Sequence, residues 1–353
     1  MIWTTILRIK FLVAKQQPSQ RVTRADVARL AGTSVAVVSY VINNGPRPVA
    51  EKTRQRVLDA IQRIGYRPNG VARALALGST KTFGLIVPTI ANPFVASMAH
   101  VLLQESLKAG HVMLLGDAGE DRQREIEVIH ALLNRQVDGL FYASVDSDPQ
   151  IDLVKASGTP LIMLDRADPQ PGVSVLRVDE RRAARRLTEH LLGHGYREVG
   201  ILCGPPEMVN ARDRVNGWRD AMQAQGLTIN ESWIWPARYH RDDGYAVMRQ
   251  ILQQDNVPRA LFISNEAQAI GCLRALSEQN IRVPEQLALV CFNGTDLAAF
   301  QQPKLTTVRQ HIHELAETAI EMLINWNHAG EVREISYYME MGASCGCALK
   351  AEE

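Results

Sequence analysis

Polar side chains that could bind a small molecule recur directly after apolar runs of the sequence between residues 83 and 293. The set comprises Asn92, Asp117, Asp165, Arg166, Asp179, Asn210, Arg212, Arg214, Asn265, Glu266 and Asn293. Each one alone is more typical of a helix cap or a loop. Their repeated position, however, predicts a cleft that hydrogen-bonds a small polar molecule. Arg214 is the strongest candidate, because its planar guanidinium can bridge two adjacent hydroxyls or a carboxylate.

Catalytic and metal chemistry are not indicated by the motifs. The sequence has no phosphate loop of the G-x-x-x-x-G-K-[ST] type and no G-x-G-x-x-G turn. We therefore expect neither an enzyme nor a bound cofactor. The five cysteines are scattered and odd in number, which is typical of reduced thiols. The Cys345-x-Cys347 pair is too small a motif for a zinc site, so no metal is predicted.

The apolar runs that precede the polar residues predict buried β-strands. These strands are Phe83–Pro88, Val112–Gly116, Asp138–Ala143, Pro160–Asp165, Glu198–Cys203, Arg259–Ser264 and Leu287–Phe292. Amphipathic helical patterns separate most of them, which is typical of parallel doubly wound sheets. A region of about 270 residues suits two such lobes. Ligands bind outside the carboxyl ends of the strands in these folds, where the polar residues lie.

A net charge of +1 conceals a basic N-terminal module on an acidic body. Residues 21–81 contain 11 Lys and Arg against 3 Asp and Glu, and residues 1–20 add 3 basic residues. The remainder contains 25 basic and 35 acidic residues. This asymmetry favours contact of one end with the phosphates of a nucleic acid, although a solvated basic face would look similar.

Three short helices are predicted within the basic module. Residues 24–31 have Thr23 as N-cap and Gly32 as stop, Ser34 begins the second helix, and residues 51–64 form the third. One face of the second helix is apolar, and the opposite face is small or polar, with Ala36, Ser39, Tyr40 and Asn43. This arrangement is typical of a helix-turn-helix DNA-binding unit, and a generic helical bundle is the alternative.

The residues of this module match the pattern of a known family. Val22-Thr23-x-x-Asp26-Val27-Ala28-x-x-Ala31-Gly32-x-Ser34-x-x-x-Val38-Ser39, Gly65-Tyr66-Arg67-Pro68-Asn69 and Val71-Ala72-Arg73-x-Leu75 resemble the lactose-repressor (LacI/GalR) family of bacterial transcription regulators. The resemblance extends over the chain from about Val22 onward. It implies an N-terminal all-α helix-turn-helix domain and an α/β two-lobed effector domain, similar to periplasmic binding proteins and built on parallel doubly wound sheets.

The resemblance implies that the second helix enters the major groove of DNA. Contacts with base edges are then expected for Val35, Ala36 and Tyr40. Contacts with phosphates, which set the register of the protein on DNA, are expected for Thr23, Ser34, Ser39 and Asn43. Val37 stands where the family often has a hydroxyl, so one phosphate contact is expected to be missing.

Residues 69–81 are predicted to form a hinge helix and linker. A helix of about two turns is unstable alone in water, so we expect this segment to be unfolded without DNA. The resemblance implies that Val71, Ala72 and Leu75 contact DNA, with Leu75 inserted between base steps of the minor groove. An ordinary linker helix is the alternative. Gly78-Ser79-Thr80 is expected to be a flexible exit from the hinge.

Two further segments, Asn210-Ala211-Arg212-x-Arg214-x-x-Gly217-Trp218 and Asn265-x-x-x-Ala269-x-Gly271, resemble the effector pocket of the family. The expected effector contacts are Asn92, Phe94, Asp165, Arg166, Asn210, Arg212, Arg214, Trp218, Asn265 and Asn293. Core packing is an equal alternative for Trp218. The sequence departs from the family at Glu266, where Asp often follows Asn, and at Asn293, where an aspartate is usual. An amide at position 293 leaves both a sugar and an anionic ligand open.

The predicted organisation has four parts: an N-terminal extension at residues 1–20, a helix-turn-helix domain at 21–68, the hinge at 69–81, and an effector-binding and dimerisation domain at 82–353. Within the last part, lobe 1 is expected at about 82–178 plus 309–334 and lobe 2 at about 179–308 plus 335–353. The chain would then cross three times between lobes. Residues 96–107 are expected in the dimer face, and the lack of a C-terminal leucine heptad favours a dimer over a tetramer.

The sequence thus predicts a cytoplasmic transcription regulator, specifically a repressor. The apolar stretch Ile2–Val13 contains Arg8 and Lys10 and lacks a small-residue cleavage site, which disfavours a signal peptide. An exported solute-binding protein of the same fold would need such a signal and would lack the basic helices. The expected partners are double-stranded operator DNA, a small-molecule effector and a second copy of the chain, with no membrane. Whether the effector strengthens or weakens DNA binding is left open.

Overall fold

The computed structural model describes residues 22–43, 45, 47–144, 146–164 and 173–347, apart from the side chains of residues 71, 72 and 76. The predicted extension at residues 1–20 and the predicted effector residues Asp165 and Arg166 lie outside the described residues, as do the side chains of Val71 and Ala72. The chain divides into two compact units between Gly78 and Ser79.

The described residues of the first unit form helices α1 (Arg24–Ala31), α2 (Val35–Asn43), α3 (Glu51–Ile64) and α4 (Gly70–Leu77). A capping box begins α1, because Thr23 Oγ1 accepts a hydrogen bond from the Asp26 N–H while the Thr23 N–H donates to Asp26 Oδ2. Gly32 ends this helix with a φ of 61°, a left-handed conformation that favours glycine. The first three helices enclose a small apolar core formed by Val27, Ala28, Ala31, Val38, Val41, Val57, Ala60 and Tyr66.

The second unit contains two lobes, and a parallel six-stranded sheet forms the first. Its strands are β1 (Thr82–Val87), β2 (Val112–Asp117), β3 (Gly139–Tyr142), β4 (Leu161–Leu164), β5 (Ser174–Arg177) and β11 (Val332–Glu334). Their spatial order is β11-β5-β4-β3-β1-β2. Core clusters lie on both faces of the sheet. The flanking helices are α5 (Pro93–Lys108), α6 (Arg122–Leu133), α7 (Ile151–Ser157) and α12 (Ile312–Ile324).

A second six-stranded sheet forms the other lobe. Its strands are β6 (Val199–Cys203), β7 (Ile234–Pro236), β8 (Ala260–Ile263), β9 (Ala288–Phe292), β10 (Thr306–Gln310) and β12 (Tyr337–Glu340). The order is β12-β10-β9-β8-β6-β7, with β12 antiparallel to β10. Its helices are α8 (Glu180–Gly193), α9 (Val209–Ala224), α10 (Arg241–Ile251) and α11 (Glu266–Glu278). Short 3-10 helices occur at Glu231–Trp233, Asp296–Phe300 and Ala343–Cys345.

The chain crosses between the lobes after β5, after β10 and after β11. The last two crossings are adjacent, because the His311 N–H donates to the Ser336 carbonyl oxygen at 3.2 Å. The predicted fold class, two doubly wound lobes preceded by a helical module, is confirmed. Among the described residues no single helix is long and apolar enough to cross a membrane, and α1 with α2 reaches that length and hydropathy only as a pair bent by 104°.

The sequence patterns predict seven of the strands and miss the others. Strands β7, β11 and β12 lie at sheet edges and are only three or four residues long, with mostly half-buried or exposed side chains. Such strands lack the continuous apolar run that identifies a buried strand. Strand β5 is buried but has only four residues. The β10 segment was expected only as a crossover between lobes.

Candidate DNA interface and effector cleft

The outer face of α2 presents the side chains predicted to contact DNA. Val38 and Val41 on the inner face are buried. On the outer face Ser34, Val35, Ala36 and Asn43 are exposed, and Ser39 and Tyr40 are half-buried. Thr23, at the start of α1, is also exposed. A face of small and hydroxyl side chains lets a helix approach the base edges of DNA closely.

Local contacts hold this face in shape. Ser34 Oγ accepts a hydrogen bond from the Val37 N–H at 3.3 Å, and Asn43 Nδ2 donates to Ser39 Oγ at 3.3 Å. The Tyr40 ring lies against Gly45, where an added Cβ would be 2.5 Å from ring Cδ1. Glycine at position 45 therefore makes room for the ring. Ser34, like Thr23, serves as a helix cap as well as a predicted phosphate contact.

The predicted hinge segment is helical from Gly70 to Leu77. Its Ala- and Leu-rich sequence has high helix propensity, and the Arg73 N–H donates to the Asn69 carbonyl oxygen at 3.0 Å. Leu75 is 88% exposed, so its side chain is available to pack against another molecule.

The segment after the hinge helix is anchored to the first lobe, in contrast to the predicted flexible exit. Asp138 accepts hydrogen bonds from the backbone N–H groups of Thr80 and Lys81 at 2.8 and 2.9 Å. It also accepts from the hydroxyls of Ser79 and Thr80 at 2.5 and 3.0 Å. Burial opposes ionisation of Asp138, but these hydrogen bonds outweigh it and hold its pKa below the ordinary value. Movement of the lobe therefore carries residues 79–81 with it.

Six of the predicted effector residues line one cavity between the lobes: Asn92, Phe94, Asn210, Arg214, Asn265 and Asn293. The first two come from the start of α5 in the first lobe, and the others come from the second lobe. The cavity measures about 20 Å³, which is room for one water molecule. Small-molecule sites are roughly 300–1,000 Å³. This cavity alone is therefore too small for an effector. A neighbouring cavity of about 390 Å³ also lies between the lobes, lined by Ala91 and Asn92 of the first lobe and by residues 238–243 and Ala267 of the second.

The amide side chains around the cavity bond to other protein groups. Tyr239 OH donates to Asn210 Oδ1 at 3.1 Å, and Asn265 Nδ2 donates to the Tyr239 carbonyl oxygen at 3.2 Å. Gln310 Nε2 donates to Asn293 Oδ1 at 2.6 Å. An entering ligand would exchange some of these bonds for its own.

Arg214 is a buried cation in the cavity wall, with 1% of its surface exposed. Its Nε and Nη2 donate to the two carboxylate oxygens of Glu180 at 2.7 and 3.1 Å, and its Nη1 donates to the Ser264 carbonyl oxygen at 2.5 Å. The guanidinium carbon lies 4.1 Å from the centroid of the Phe292 ring. The two donors expected to bridge ligand hydroxyls thus bind a carboxylate of the protein itself, and Arg214 joins α9 to α8 and β8.

Arg212 and Trp218 lie away from this cavity. Asn210 and Arg214 are four residues apart and share one face of α9, whereas Arg212 points elsewhere because successive helical residues are about 100° apart. Arg212 lines a separate pocket of about 460 Å³ beside β6 and β7. Trp218 is fully buried in the core, where its indole N–H donates to the Val199 carbonyl oxygen at 3.1 Å. Packing, rather than stacking on a ligand, accounts for Trp218.

Sequence reasoning missed Glu180, Tyr239 and a contact at the rim of the cleft. There His240 Nε2 of the second lobe lies 2.7 Å from Glu120 Oε2 of the first lobe. These partners are 120 residues apart, so no local motif marks them. Glu266, noted as a departure from the family, directs its carboxylate to the N–H and hydroxyl of Thr295 at 2.9 and 2.7 Å. Burial raises the pKa of Glu266.

Comparison with family models gives two matches along the chain. Residues 23–69 match the model described as bacterial regulatory proteins, lacI family. Residues 188–340 match the periplasmic binding protein-like domain. The first match covers α1 to α3, and the second covers most of the second lobe and the return of the chain to it.

Comparison with individual proteins extends the likeness to most of the chain. The HTH-type transcriptional repressor PurR of Haemophilus influenzae strain PittEE is 33% identical over 304 residues, which are 86% of this chain and 90% of that protein. The structure of the complex of transcriptional regulator CelR with cellobiose is 26% identical, with a TM-score of 0.69, and the match covers 92% of this chain and 100% of that one. The lac repressor dimer bound to operator and the anti-inducer ONPF shares the fold, with a TM-score of 0.82 at 24% identity, over 92% of this chain and 99% of that one.

Proposed function

The chain belongs to the lacI family of bacterial regulatory proteins, and we propose that it is a cytoplasmic repressor that binds a palindromic operator as a dimer under the control of a small polar effector. One observation carries the proposal. Polar residues from both lobes surround one interlobe cavity in a chain whose N-terminal helix-turn-helix exposes its small, hydroxyl-bearing face. The first feature suits a ligand and the second suits DNA, so a regulator accounts for both.

The lining of the cavity favours an uncharged effector that carries hydroxyl groups. Among the described residues that line the cavity, Arg214 is the charged one, and the Glu180 carboxylate balances it. The remaining polar groups are the amides of four asparagines and the hydroxyl of Tyr239, which donate to and accept from hydroxyls. Phe94 supplies an apolar surface for a ring. A sugar fits this lining better than an organic acid, and cellobiose is the ligand in the related CelR complex.

Exposed apolar side chains on the first lobe support a dimer. Leu103 and Leu107 on α5 and Val112 and Leu115 on β2 are all exposed, with Leu107 at 69%. Strand β2 lies at the edge of its sheet. Leu103 and Leu107 belong to residues 96–107, the predicted dimer face. Burial of exposed apolar side chains between two copies is favourable.

The position of the cavity between the lobes and the Asp138 anchor couple effector binding to DNA binding. A sugar does not fit a cavity of about 20 Å³, so the lobes must move apart for it to lie among the six predicted residues. The change in lobe arrangement moves residues 79–81, which come directly after the hinge helix in the chain. The effector shifts DNA affinity only by its preference for one arrangement over the other.

DNA binding is tested by selection from a random duplex library with the purified full chain. The expected result is enrichment of a palindrome with two half-sites, bound with much higher affinity than random DNA. Gel filtration or light scattering at the same concentration should give a dimer. The absence of any preferred duplex, both with and without candidate effectors, would contradict the proposal.

The class of effector is tested by thermal-shift screening of sugars, nucleosides and organic acids against the wild type and Asn293→Asp. Asn293 lines the cavity, and its backbone φ of 56° is a conformation that asparagine and aspartate both adopt. A hydroxyl ligand should bind both proteins, whereas a carboxylate would bind only the wild type. Asn280→Asp is the matched control, because Asn280 has a φ of 54° and is exposed. Anionic hits lost in Asn293→Asp alone would overturn the sugar assignment.

A further inference from the structure

Two histidines and two cysteines from distant parts of the chain meet in the second lobe. His190 lies in the last turn of α8 and His194 is the C-cap residue of this helix, so the two share a face. Cys345 ends the last 3-10 helix, and Cys347 follows two residues later. One potential ligand atom from each of the four residues lies within 4.8 Å of the other three. The prediction of no metal site considered the two cysteines alone and not the two histidines beside them.

The distances within the cluster match a tetrahedral metal site. His190 Nε2 lies 3.2 Å from Cys345 Sγ and 3.5 Å from Cys347 Sγ. His194 Nε2 lies 3.3 Å from Cys347 Sγ and 3.9 Å from Cys345 Sγ. With bonds of about 2.3 Å to sulfur and 2.0–2.1 Å to nitrogen, a tetrahedral Zn²⁺ places N and S ligands about 3.5 Å apart. The four observed separations lie around that value.

Hydrogen bonding alone accounts poorly for this geometry. An imidazole Nε2 has one hydrogen or one lone pair, directed along a single line in the ring plane. It can therefore satisfy one sulfur, whereas each Nε2 here lies close to two. Four soft or borderline ligand atoms directed at a common centre are the arrangement that zinc prefers.

The surroundings also suit a closed metal site. Cys345 is fully buried, and the Thr306 Oγ1 lies 3.0 Å from its sulfur, as outer contacts do around metal-bound thiolates. Gly346, between the cysteines, has a φ of 98°, a left-handed conformation that glycine adopts without strain. His194 is exposed, which leaves a path for an ion from solvent.

We propose that His190, His194, Cys345 and Cys347 bind one structural Zn²⁺ that fastens the segment after β12 to the end of α8. Four protein ligands leave no open position for a substrate, which is the character of a structural site. The 14 residues of α8 span about 21 Å, so the site is well separated from the Glu180 end of the same helix at the effector cavity. The ion therefore stabilises the second lobe and takes no part in binding the effector.

The proposal is tested by titration of the reduced, chelator-treated full chain with Co²⁺ and then Zn²⁺. The expected result is one equivalent of Co²⁺ with the d–d and thiolate charge-transfer bands of a tetrahedral site, displaced by one equivalent of Zn²⁺. Zinc should also raise the Tm of the wild type. His194→Ala and Cys347→Ala should lose both responses, and His194 is a suitable target because its exposed side chain contributes little to the core.

Two matched controls separate the site from general metal binding. His130→Ala removes an exposed histidine on α6, and Cys272→Ala removes a buried cysteine of α11. Both variants should keep the spectrum and the zinc-dependent rise in Tm. A wild type without tetrahedral Co²⁺ bands would overturn the proposal, as would bands that persist in both His194→Ala and Cys347→Ala. A zinc-free protein with a Cys345–Cys347 disulfide after purification under reducing conditions would also overturn it.

Discussion

The outer face of α2 and the interlobe cavity use polar side chains in opposite ways. On α2, Ser34 and Asn43 bond only to residues three or four positions away, and both stay exposed. In the cavity, Asn210 bonds to a residue 29 positions away, and Arg214 bonds to residues 34 and 50 positions away. Local bonds leave the α2 face ready for another molecule, whereas long-range bonds make the cavity wall part of the folded core.

This difference has a practical consequence for substitutions. A change on the exposed face of the DNA-binding unit should alter affinity with little effect on unfolding, because few contacts are lost. A change in the cavity wall should alter both ligand binding and the free energy of unfolding, because the same groups serve both.

The largest expected effect is that of Arg214→Met. The substitution removes a bidentate cation from the buried Glu180 carboxylate and should lower the free energy of unfolding by about 3–5 kcal/mol. Urea denaturation followed by tryptophan fluorescence measures the loss. Effector binding should fail in the same variant.

Two controls sharpen this prediction. The double variant Glu180→Leu with Arg214→Met should recover most of the stability, because an apolar pair replaces a buried charge pair at little cost. Arg185→Met removes an exposed ion pair with Glu189 and should leave the urea midpoint almost unchanged. If both single variants, Arg214→Met and Arg185→Met, unfold at the wild-type midpoint, the cavity wall is not part of the core.

Leu75→Ala should weaken specific operator binding by about 2 kcal/mol, the value of burying a leucine side chain. The free energy of unfolding of the variant should not change, because the Leu75 side chain is 88% exposed. Fluorescence anisotropy with operator and random duplexes at several salt concentrations measures the two affinities. Leu77→Ala, on another face of α4, is the control and should have a smaller effect. Equal loss of specific and nonspecific binding would remove the minor-groove insertion from the mechanism.

Asp138→Asn should lower the free energy of unfolding by about 1–2 kcal/mol at neutral pH, because a charged acceptor of several hydrogen bonds is replaced. In the folded chain the hydrogen bonds hold the pKa of Asp138 below the ordinary value of 3.8. The extra free energy of unfolding of the wild type is therefore fully present above pH 3.8, and it is lost as the pH falls through the folded-state pKa of Asp138. Urea unfolding across this range should show the two proteins converge in acid; a constant difference would contradict the assignment.

The smallest effect is expected for Glu120→Gln, which weakens the contact with His240 at the cleft rim. Both side chains are about one-third exposed, so the contact should contribute less than about 1 kcal/mol. The two lobes should then separate more often, and the association rate of the effector should rise by less than about fivefold. Stopped-flow fluorescence measures this rate, and Glu127→Gln on the same lobe is the control. A slower association would show that the contact does not hold the cleft closed.

The parts of the site that the sequence predicts are those defined by local chemistry. The bounds of α1 follow from the Thr23 cap and the Gly32 stop, α3 ends at Gly65, and the outer face of α2 follows from helical periodicity. Six predicted effector residues line one cavity because polar residues after parallel strands gather at one edge of a sheet. The sequence left the role of Trp218 open, because the segment from Asn210 to Trp218 does not show whether this side chain lies in the core or in the cleft.

The amino-acid sequence by itself determined the helix-turn-helix, the alternation of strands and helices, and the kind of residue at each strand end. Those features depend on interactions within a few turns of chain. Only the tertiary structure decided that Arg214 binds Glu180, that Asp138 anchors the hinge, and that two histidines meet two cysteines. Each of these pairs brings together residues 34 to more than 150 positions apart, and the sequence holds no local signal of which distant groups will become neighbours.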